Sequence, residues 1–422
     1  MVARHWLRCL PLLLMAVVVG ACAPSGSRRA HENRLVTAAS VVPSAQKEFA
    51  PAPTGDAVRG RELVGRFECN RCHEGTGLGS APLAKNCFSC HEQIITGKFP
   101  VSAAALARFR PHVMSAREAP SLIALGARLE ERWVVEYLLA PRDLRPKLTS
   151  TMPRLALDRA QATDIAAYLT ADGVTRSALS ATSGNPSRGR ELMDQKGCAL
   201  CHSFSGVPPF TGSEVPVESE PARAAALAPD LRFTRDRFRA ERLVAFLSNP
   251  KAIKPDTRMP NFDLTDSEAA DIAAYIRDTP LSLEPEAPFV RLPLLTRRVS
   301  FEEANRRVFS RTCHHCHTDA QSAGGDGGPG NTGGFGFAPR GISFSSHASV
   351  LAGYLDEKGE RRSLFELLPD GTPRLVAALF ARHDEARSLP RTGVRGMPLG
   401  LPPLSAEEIQ LIESWVAQGK PL

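Results

Sequence analysis

Apolar residues recur at helical spacing in several parts of the chain. Three stretches carry apolar residues at i, i+3 or i+4, and i+7, which predicts helices with one buried face. They are QATDIAAYLTA at 161–171, SEAADIAAYIRD at 267–278 and EEIQLIESWVAQ at 407–418. Ser267 and Ser405 occupy positions typical of helix N-caps. No set of alternating apolar and polar residues indicates strands, so we predict an all-α fold.

Short sequences recur in the same order in two parts of the chain. They are RGREL at 59–63 and 188–192, APSL at 119–122 with APDL at 228–231, and Met-Pro at 152–153 and 259–260. A third Met-Pro, at 397–398, precedes the last amphipathic stretch. Polar or Pro-rich connections lie at 176–187 and 279–299. We therefore predict three tandem domains, at 55–175, 186–280 and 300–422.

The pattern Cys-x-x-Cys-His occurs four times. The four sets are Cys69, Cys72 and His73; Cys87, Cys90 and His91; Cys198, Cys201 and His202; and Cys313, Cys316 and His317. Thiols at i and i+3 lie on one side of a helical turn, where both can add to the vinyl groups of one haem. The next residue can then bind the iron as its proximal imidazole. His314 and His315 lie inside the fourth set and are expected to have no ligand role.

Zinc is the alternative cofactor for such cysteine pairs. A structural zinc site needs four nitrogen or sulfur ligands and usually combines two Cys-x-x-Cys pairs. Here a histidine follows each pair directly, behind an export signal. The sequence therefore predicts four covalently attached haem c groups, with the eight cysteines as their thioethers.

The order of these features resembles class I cytochrome c. That family has an N-terminal helix, Cys-x-x-Cys-His, a Pro-x-Leu stretch, a Met-Pro loop and a C-terminal helix that crosses the first. The resemblance covers all three segments beyond residue 55. It implies that Met152, Met259 and Met397 are distal iron ligands. It also implies that Pro120 and Pro229 place a backbone carbonyl against the N–H of the proximal histidine.

The third segment departs from this pattern. It has no clear Pro-x-Leu match, and about 80 residues, including a Gly-rich stretch, separate His317 from Met397. His347 and His383 are therefore alternatives to Met397 as ligands of the fourth iron. Core packing is the alternative role for all three methionines, because Met fills gaps in cores.

The first segment holds two Cys-x-x-Cys-His sets but one Met-Pro. Distance to the Met-Pro favours His91 as the standard proximal ligand, whereas spacing from the preceding helix favours His73. We give the helix spacing more weight, because a helix belongs to the core and a loop can absorb an insertion. Residues 74–118 are then an inserted haem pocket, and we predict His112 as the sixth ligand of its iron. Met114 or an open coordination position are the alternatives.

The N-terminus predicts export and lipidation. A basic start and a short apolar run are followed by the sequence VGAC, which ends at Cys22 and resembles a bacterial lipobox. This resemblance implies a signal peptide at 1–21 and a lipid on Cys22, at the start of a flexible tether at 22–54. Signal cleavage without lipidation is the alternative. We expect a lipoprotein on the periplasmic side of a bacterial membrane, and Ala23 favours the outer membrane.

Charge and motifs together indicate an electron-transfer protein. The formal net charge of +7 falls to about −3 once two signal-peptide arginines are lost and eight haem propionates are added, so the basic pI does not indicate nucleic acid. Irons with mostly His/Met ligation pass electrons without binding a substrate. We expect redox proteins as partners, membrane contact through the lipid, no nucleic acid and no small-molecule substrate. The alternative is a haem enzyme, such as a dihaem peroxidase-like oxidoreductase, with one open sixth position.

We expect the substitution Cys22→Ser to release the protein from the membrane, because serine offers no thiol to the lipid. Haem staining of membrane and soluble fractions, from cells that export the variant, measures the release. Retention of the variant in the membrane fraction would place the anchor elsewhere in the chain.

Overall fold

Helices dominate the part of the chain that the structure describes. The computed structural model describes residues 54–113, 119–148, 151–172, 183–211, 220–284, 287–319, 327–387, 389 and 393–422, without the side chains of 108, 112, 220, 221, 223 and 240. These residues belong to one unit, Pro51–Leu422. Among them, no helix combines the length and apolar character needed to cross a membrane. Cys22, the signal peptide and nearly all of the predicted tether lie outside the described residues.

Most regular elements in these residues are short. The α-helices are α1 Ala57–Arg66, α2 Cys87–Thr96, α3 Ala103–Val113, α4 Glu131–Leu139, α5 Arg159–Leu169, α6 Pro186–Gln195, α7 Glu220–Leu227, α8 Thr234–Arg237, α9 Ala240–Ser248, α10 Pro250–Ile253, α11 Asp266–Asp278, α12 Phe301–Ala304, α13 His347–Leu351, α14 Arg374–Ala386 and α15 Ala406–Ala417. Single 3-10 turns are Cys69–Arg71, Cys198–Leu200 and Leu231–Phe233, and a π-helix, Asn305–Cys313, continues α12. Strands β1 Tyr354–Leu355 and β2 Arg361–Arg362 form a small antiparallel hairpin. The predicted all-α class is confirmed, with this hairpin as a local addition.

Two helix pairs pack so closely that their backbones touch. Helix α1 crosses α5 at Gly60, where an added Cβ would lie 2.0 Å from the backbone oxygen of Asp164. Helix α6 crosses α11 at Gly189, where an added Cβ would lie 2.1 Å from the backbone oxygen of Asp271. Both glycines belong to the RGREL repeats. The repeated sequence therefore marks the same crossing twice, as the family resemblance implies.

A repeated carboxylate fixes each crossing. Asp164 accepts hydrogen bonds from the backbone nitrogen of Asp56, at 2.7 Å, and from Nε of Arg59, at 2.8 Å. The bond from Arg59 holds the pKa of Asp164 below its usual value. Asp271 accepts from the backbone nitrogen of Asn185 at 2.6 Å. Asp56 and Asn185 are the N-caps of α1 and α6, so each carboxylate holds the start of a helix that precedes a Cys-x-x-Cys-His set.

Apolar side chains form two large cores and a small one. The first core runs through both repeated segments and includes Val64, Ile165, Met193 and Ile272. The second core lies in the last segment around Trp415, whose exposed fraction is 0%. The small core, between α2 and α3, contains Ile94, Phe99 and Val113. The segment predicted as an insertion therefore has apolar packing of its own.

The first two repeated segments meet through equivalent residues. Leu129 and Phe238 form an antiparallel bridge, and each lies ten residues after the Ala-Pro of its own repeat. Reciprocal hydrogen bonds flank the bridge, from Glu130 N to Arg237 O at 2.9 Å and from Arg239 N to Arg128 O at 2.8 Å. This joint is locally two-fold symmetric, because each partner supplies the same positions of the repeat.

The two Met-Pro loops of the first and last segments touch each other. The backbone nitrogen of Thr151 donates to the oxygen of Gly400 at 3.0 Å. Arg154 forms a mostly buried ion pair with Glu385, at 3.2 Å between Nη1 and Oε2. The neighbourhood of Met397 is therefore fixed against that of Met152.

The Gly-rich stretch of the last segment docks beside the first Cys-x-x-Cys-His set. The backbone nitrogen of Phe335 donates to Oε2 of Glu68 at 3.1 Å, and the Arg71 guanidinium lies 4.8 Å from the centre of the Phe335 ring. An added Cβ at Gly336 would lie 2.4 Å from the ring of Phe67. Residues 327–341 therefore form a tight contact loop rather than an open linker.

Part of the connection predicted at 279–299 also packs tightly. Arg291 pairs with Glu413 on α15, and the backbone nitrogen of Leu295 donates to Oγ of Ser414 at 2.9 Å. Residues 287–299 thus lie along the last helix instead of spanning solvent.

One of the two predicted helix N-caps is wrong by two residues. Ser405 caps α15 as predicted, but α11 is capped by Thr265 rather than Ser267. Thr265 accepts from the backbone nitrogen of Glu268, and the Glu268 carboxylate accepts from the backbone nitrogen of Thr265 at 2.9 Å. This reciprocal pair satisfies two backbone donors at once, which Ser267 could not do.

We expect Gly60→Ala to destabilise the fold, since its methyl group would collide with the backbone of α5. Overpacking of this kind costs about 1–3 kcal/mol. Chemical unfolding followed by circular dichroism measures the loss. The control is Gly65→Ala on the same helix, where the nearest atom to an added Cβ is 3.9 Å away. Equal stability of the two variants would contradict the close crossing.

Candidate haem sites

The proximal histidines of two sets face backbone carbonyls. His73 Nδ1 lies 2.8 Å from the oxygen of Pro120, and His202 Nδ1 lies 2.9 Å from the oxygen of Pro229. The predicted contacts with Pro120 and Pro229 are therefore confirmed. A hydrogen bond donated by Nδ1–H leaves Nε2 unprotonated, which is the form that binds a metal.

The surroundings keep both rings neutral. Burial lowers the pKa of His73 and of His202, and the hydrogen bonds to proline carbonyls oppose that shift only in part. The positive charge of Arg145 lowers the pKa of His73 further, and that of Arg237 does the same for His202. Both imidazoles are thus neutral at pH 7 and can offer Nε2 to iron.

The fourth set places a glycine against its histidine, where the first and third sets place a proline carbonyl. An added Cβ at Gly330 would lie 1.9 Å from Nδ1 and Cε1 of His317, so the ring rests directly on this backbone. Burial lowers the pKa of His317 to about 4. The backbone nitrogen of Gly330 donates to the oxygen of Cys316 at 2.9 Å. Sequence comparison missed this contact because Gly330 lies in the Gly-rich stretch and outside any Pro-x-Leu pattern.

The second set lies at the start of a helix. Cys87 begins α2, and Asn86 caps it by accepting from the backbone nitrogen of Ser89 at 2.9 Å. Helical geometry places Cys87, Cys90 and His91 on one side of α2, and the His91 side chain is only 5% exposed. The predicted ligand His112 belongs to α3, but its side chain lies outside the described part of the structure, as does Met114. Their ligand roles stay predictions.

Three of the four sets line one cavity of about 2070 Å³. Its lining includes Cys69, Cys72, His73, Cys87, Cys90, His91, Cys313, Cys316 and His317. Small-molecule pockets usually measure about 300–1,000 Å³, so this cavity has room for more than one large ligand. The structure thus brings together sets that are up to about 240 residues apart in sequence.

Two of these sets meet through their thiols. The pKa of Cys72 is raised well above its usual value, first by a hydrogen bond with the Cys87 thiol and then by burial. None of the eight described cysteines forms a disulfide. The second thiol of one set therefore lies against the first thiol of the next, which brings the two attachment points together.

Two of the three predicted methionine ligands line the cavity, and the third packs against the core of its own segment. Met152 and Met397 both line the cavity, and Met259 packs against the same core as Cys198. The rivals of Met397 are engaged elsewhere: Nε2 of His347 lies 2.8 Å from the oxygen of Lys420, and Nε2 of His383 lies 2.8 Å from the oxygen of Leu404. Ligation by the three methionines stays a prediction.

Comparison with known proteins identifies the middle segment. Residues 186–280 match the family model Cytochrome c, and this match begins at the first residue of α6. The chain is 32% identical over 103 residues to cytochrome c-552 of Bradyrhizobium diazoefficiens, a span that covers 24% of this chain and 83% of that relative. The chain belongs to the cytochrome c family. It is a haem-binding electron-transfer protein, whose haem c is held covalently. No solved structure matches the chain.

The cytochrome brings together a group of cations, two of them buried, that sequence reasoning missed. Arg128, Arg145, Arg237 and Lys254 all line the cavity at the joint between the first two segments. Burial, together with the charge of Arg145, lowers the pKa of Arg237 to about 9 and that of Arg128 to about 10. Arg128 is equivalent to Arg237 in the repeats, and Arg145 to Lys254. This equivalence in the repeats was the sequence signal for the cluster. The sequence alone does not show that the two pairs of cations meet in one place.

This group fits the propionates of a haem. Buried cations are costly unless an anion or hydrogen-bond acceptor compensates them. Lys254 already pairs with Asp256, whereas Nε of Arg237 is buried without a hydrogen-bond partner in the described part of the structure, and haem supplies two carboxylates. The thiols of Cys69, Cys72, Cys198 and Cys201 would hold the cofactors, and His73 and His202 would bind their irons. When bound, the haem supplies one-electron redox chemistry. The chain itself positions the imidazoles and places positive charge beside the site.

We expect Arg237→Gln to lower the midpoint potential of at least one haem, because a nearby positive charge favours the reduced iron. The shift should be tens of millivolts, on the order of 1 kcal/mol for a partly screened charge. Spectroelectrochemical titration measures it. The control is Arg277→Gln, which changes an exposed arginine near the end of α11. Unchanged potentials in the Arg237 variant would separate this cluster from the haems.

Proposed function

We propose that this protein is a lipid-anchored cytochrome with four haems, which relays electrons between redox proteins on the periplasmic side of a bacterial membrane. The observation that carries the proposal is the shared cavity, because three Cys-x-x-Cys-His sets line it together. Independent cytochrome domains joined by linkers would keep their haems apart. A cavity shared by several attachment sets instead favours electron transfer from one haem to the next.

The first set is the centre of the proposed relay. Its Cys72 meets Cys87 of the second set. Its His73 and the His202 of the middle segment are both close enough to the cation cluster for it to act on them, since Arg145 lowers the pKa of the first ring and Arg237 that of the second. The haem at Cys69 and Cys72 thus has a route to two neighbours.

The contact between Met-Pro loops supports a third route. Thr151 and Gly400 join the loops that carry Met152 and Met397, so the distal sides of the first and fourth haems face a common boundary. With Met152, Met259 and Met397 as sixth ligands, these irons conduct electrons and do not bind substrate. The three-domain division and the outer-membrane anchor at Cys22 complete the proposal and rest on the sequence repeats and on the VGAC motif.

We expect the mature protein to carry four covalent haems, all low-spin when oxidised and unreactive toward carbon monoxide when reduced. Mass spectrometry counts the haems, and low-temperature EPR with carbon monoxide titration reports the coordination. Replacing one cysteine pair by serine, such as Cys313 and Cys316, should remove one haem and leave three. A stoichiometric high-spin haem that binds carbon monoxide would contradict the relay at that iron and favour the haem-enzyme alternative.

A further inference from the structure

Two histidines from different haem-attachment sets face each other in the cavity. The ring centres of His91 and His315 are 5.3 Å apart, with an angle of 54° between the ring planes. Both residues line the cavity. His91 is the predicted proximal ligand of the second haem, while His315 lies between Cys313 and Cys316 and has no part in binding the fourth.

The direction of His315 follows from its neighbours. His314 is held by the oxygen of Phe344, which lies 2.8 Å from its Nε2. His317 rests on Gly330 on the proximal side of its own site. Residues two apart on a helical turn point to roughly opposite sides, so His315 points away from the His317 side and toward α2.

Independent contacts hold the two segments in this arrangement. Phe335 binds Glu68 at 3.1 Å and stacks on Arg71, and Lys85 donates to Glu68 at 3.1 Å. Lys85 lies two residues before Cys87, and Glu68 lies directly before Cys69. The Gly-rich loop of the last segment is therefore attached to Glu68, the residue that also binds Lys85 beside the second attachment set, so the last segment is held close to α2.

The separation suits two ligands of one iron. Bonds from a first-row metal to imidazole nitrogen are about 2.0 Å, so two imidazoles on opposite sides of one metal have ring centres about 6 Å apart. The observed 5.3 Å differs from this by less than about 1 Å, which side-chain rotation can supply. We propose that His315 is the distal axial ligand of the haem attached at Cys87 and Cys90. This inference rests on the proposed four-haem function.

The ligation would give the second haem two imidazoles. It joins the second haem to the segment that attaches the fourth, because His315 is the residue before Cys316. It also supplies a sixth ligand to the iron for which the sequence left an open coordination position as an alternative. With imidazole in place of the Met thioether, this haem has a lower reduction potential than the haems with His/Met ligation, since thioether ligation raises the potential.

The test replaces His315 in the full-length exported protein. His315→Ala should convert one low-spin ferric haem per molecule to high-spin, and the reduced variant should bind one carbon monoxide. Added imidazole should restore the low-spin signal. His315→Met should keep the haem low-spin and raise the potential of that haem, a result that a purely structural role for His315 would not produce.

Two controls assign the change. His112→Ala tests the rival ligand and should leave all four haems low-spin. In a background with Cys87 and Cys90 replaced by serine, His315→Ala should have no further effect on the remaining haems. If His315→Ala keeps every haem low-spin and inert to carbon monoxide, or if His112→Ala produces the high-spin haem instead, the inference is overturned. A wild-type protein without a haem at Cys87 and Cys90 would overturn the four-haem proposal itself, which separates the two failures.

Discussion

The distance of closest approach between the first and last helix of each repeated segment controls the rest of its site. Helix α1 ends three residues before Cys69, and α6 ends three residues before Cys198. The Met-Pro loops end six residues before α5 and six before α11. Because glycine lets each pair of helices touch, the crossing fixes both ends of the haem site at once. A shift of one helix would move the proximal and distal ligands relative to each other.

The last segment reaches the same arrangement with different packing. Its first helix meets α15 through aromatic rings, with Phe301 and Phe309 at 5.9 Å and 5.6 Å from Trp415. Bulky rings hold the helix axes farther apart than glycine does. The first helix continues as a π-helix that ends at Cys313, so the attachment set begins inside the helix. This explains why sequence comparison followed the repeats well in the first two segments and poorly in the third.

Local chemistry was predictable and long-range placement was not. The helix class and the Pro120 and Pro229 contacts follow from spacing within one segment, where few geometries are possible. The Thr265 cap was missed by two residues, because Thr-Asp-Ser-Glu offers two cap candidates and only the full capping box decides between them. Contacts between segments depend on how whole segments dock. For that reason the buried arginines, Gly330 and the approach of His315 to His91 had no reliable sequence signal.

The repeat explains how the buried cations arose together. Arg128 lies at the joint between the first two segments. The second segment repeats the first, so its equivalent residue, Arg237, reaches the same joint from the other side. Two-fold symmetry therefore doubles any charge that lies near the axis. In a protein without anionic cofactors that doubling would be strongly destabilising. In a cytochrome, the carboxylates of a haem bound beside these arginines would compensate their charge.

The same reasoning applies to the proposed haem at Cys87 and Cys90, whose attachment set is inserted within the first repeated segment. An inserted site lacks a Met-Pro loop of its own, so its sixth ligand must come from outside the repeat pattern. A ligand supplied by another attachment set makes the insertion depend on correct docking of the last segment. With the proposed His315 ligation, its iron has a different ligand pair from the other proposed haems, and its potential lies below theirs. The proposed ligation thus ties the first and last segments of the chain together through one iron.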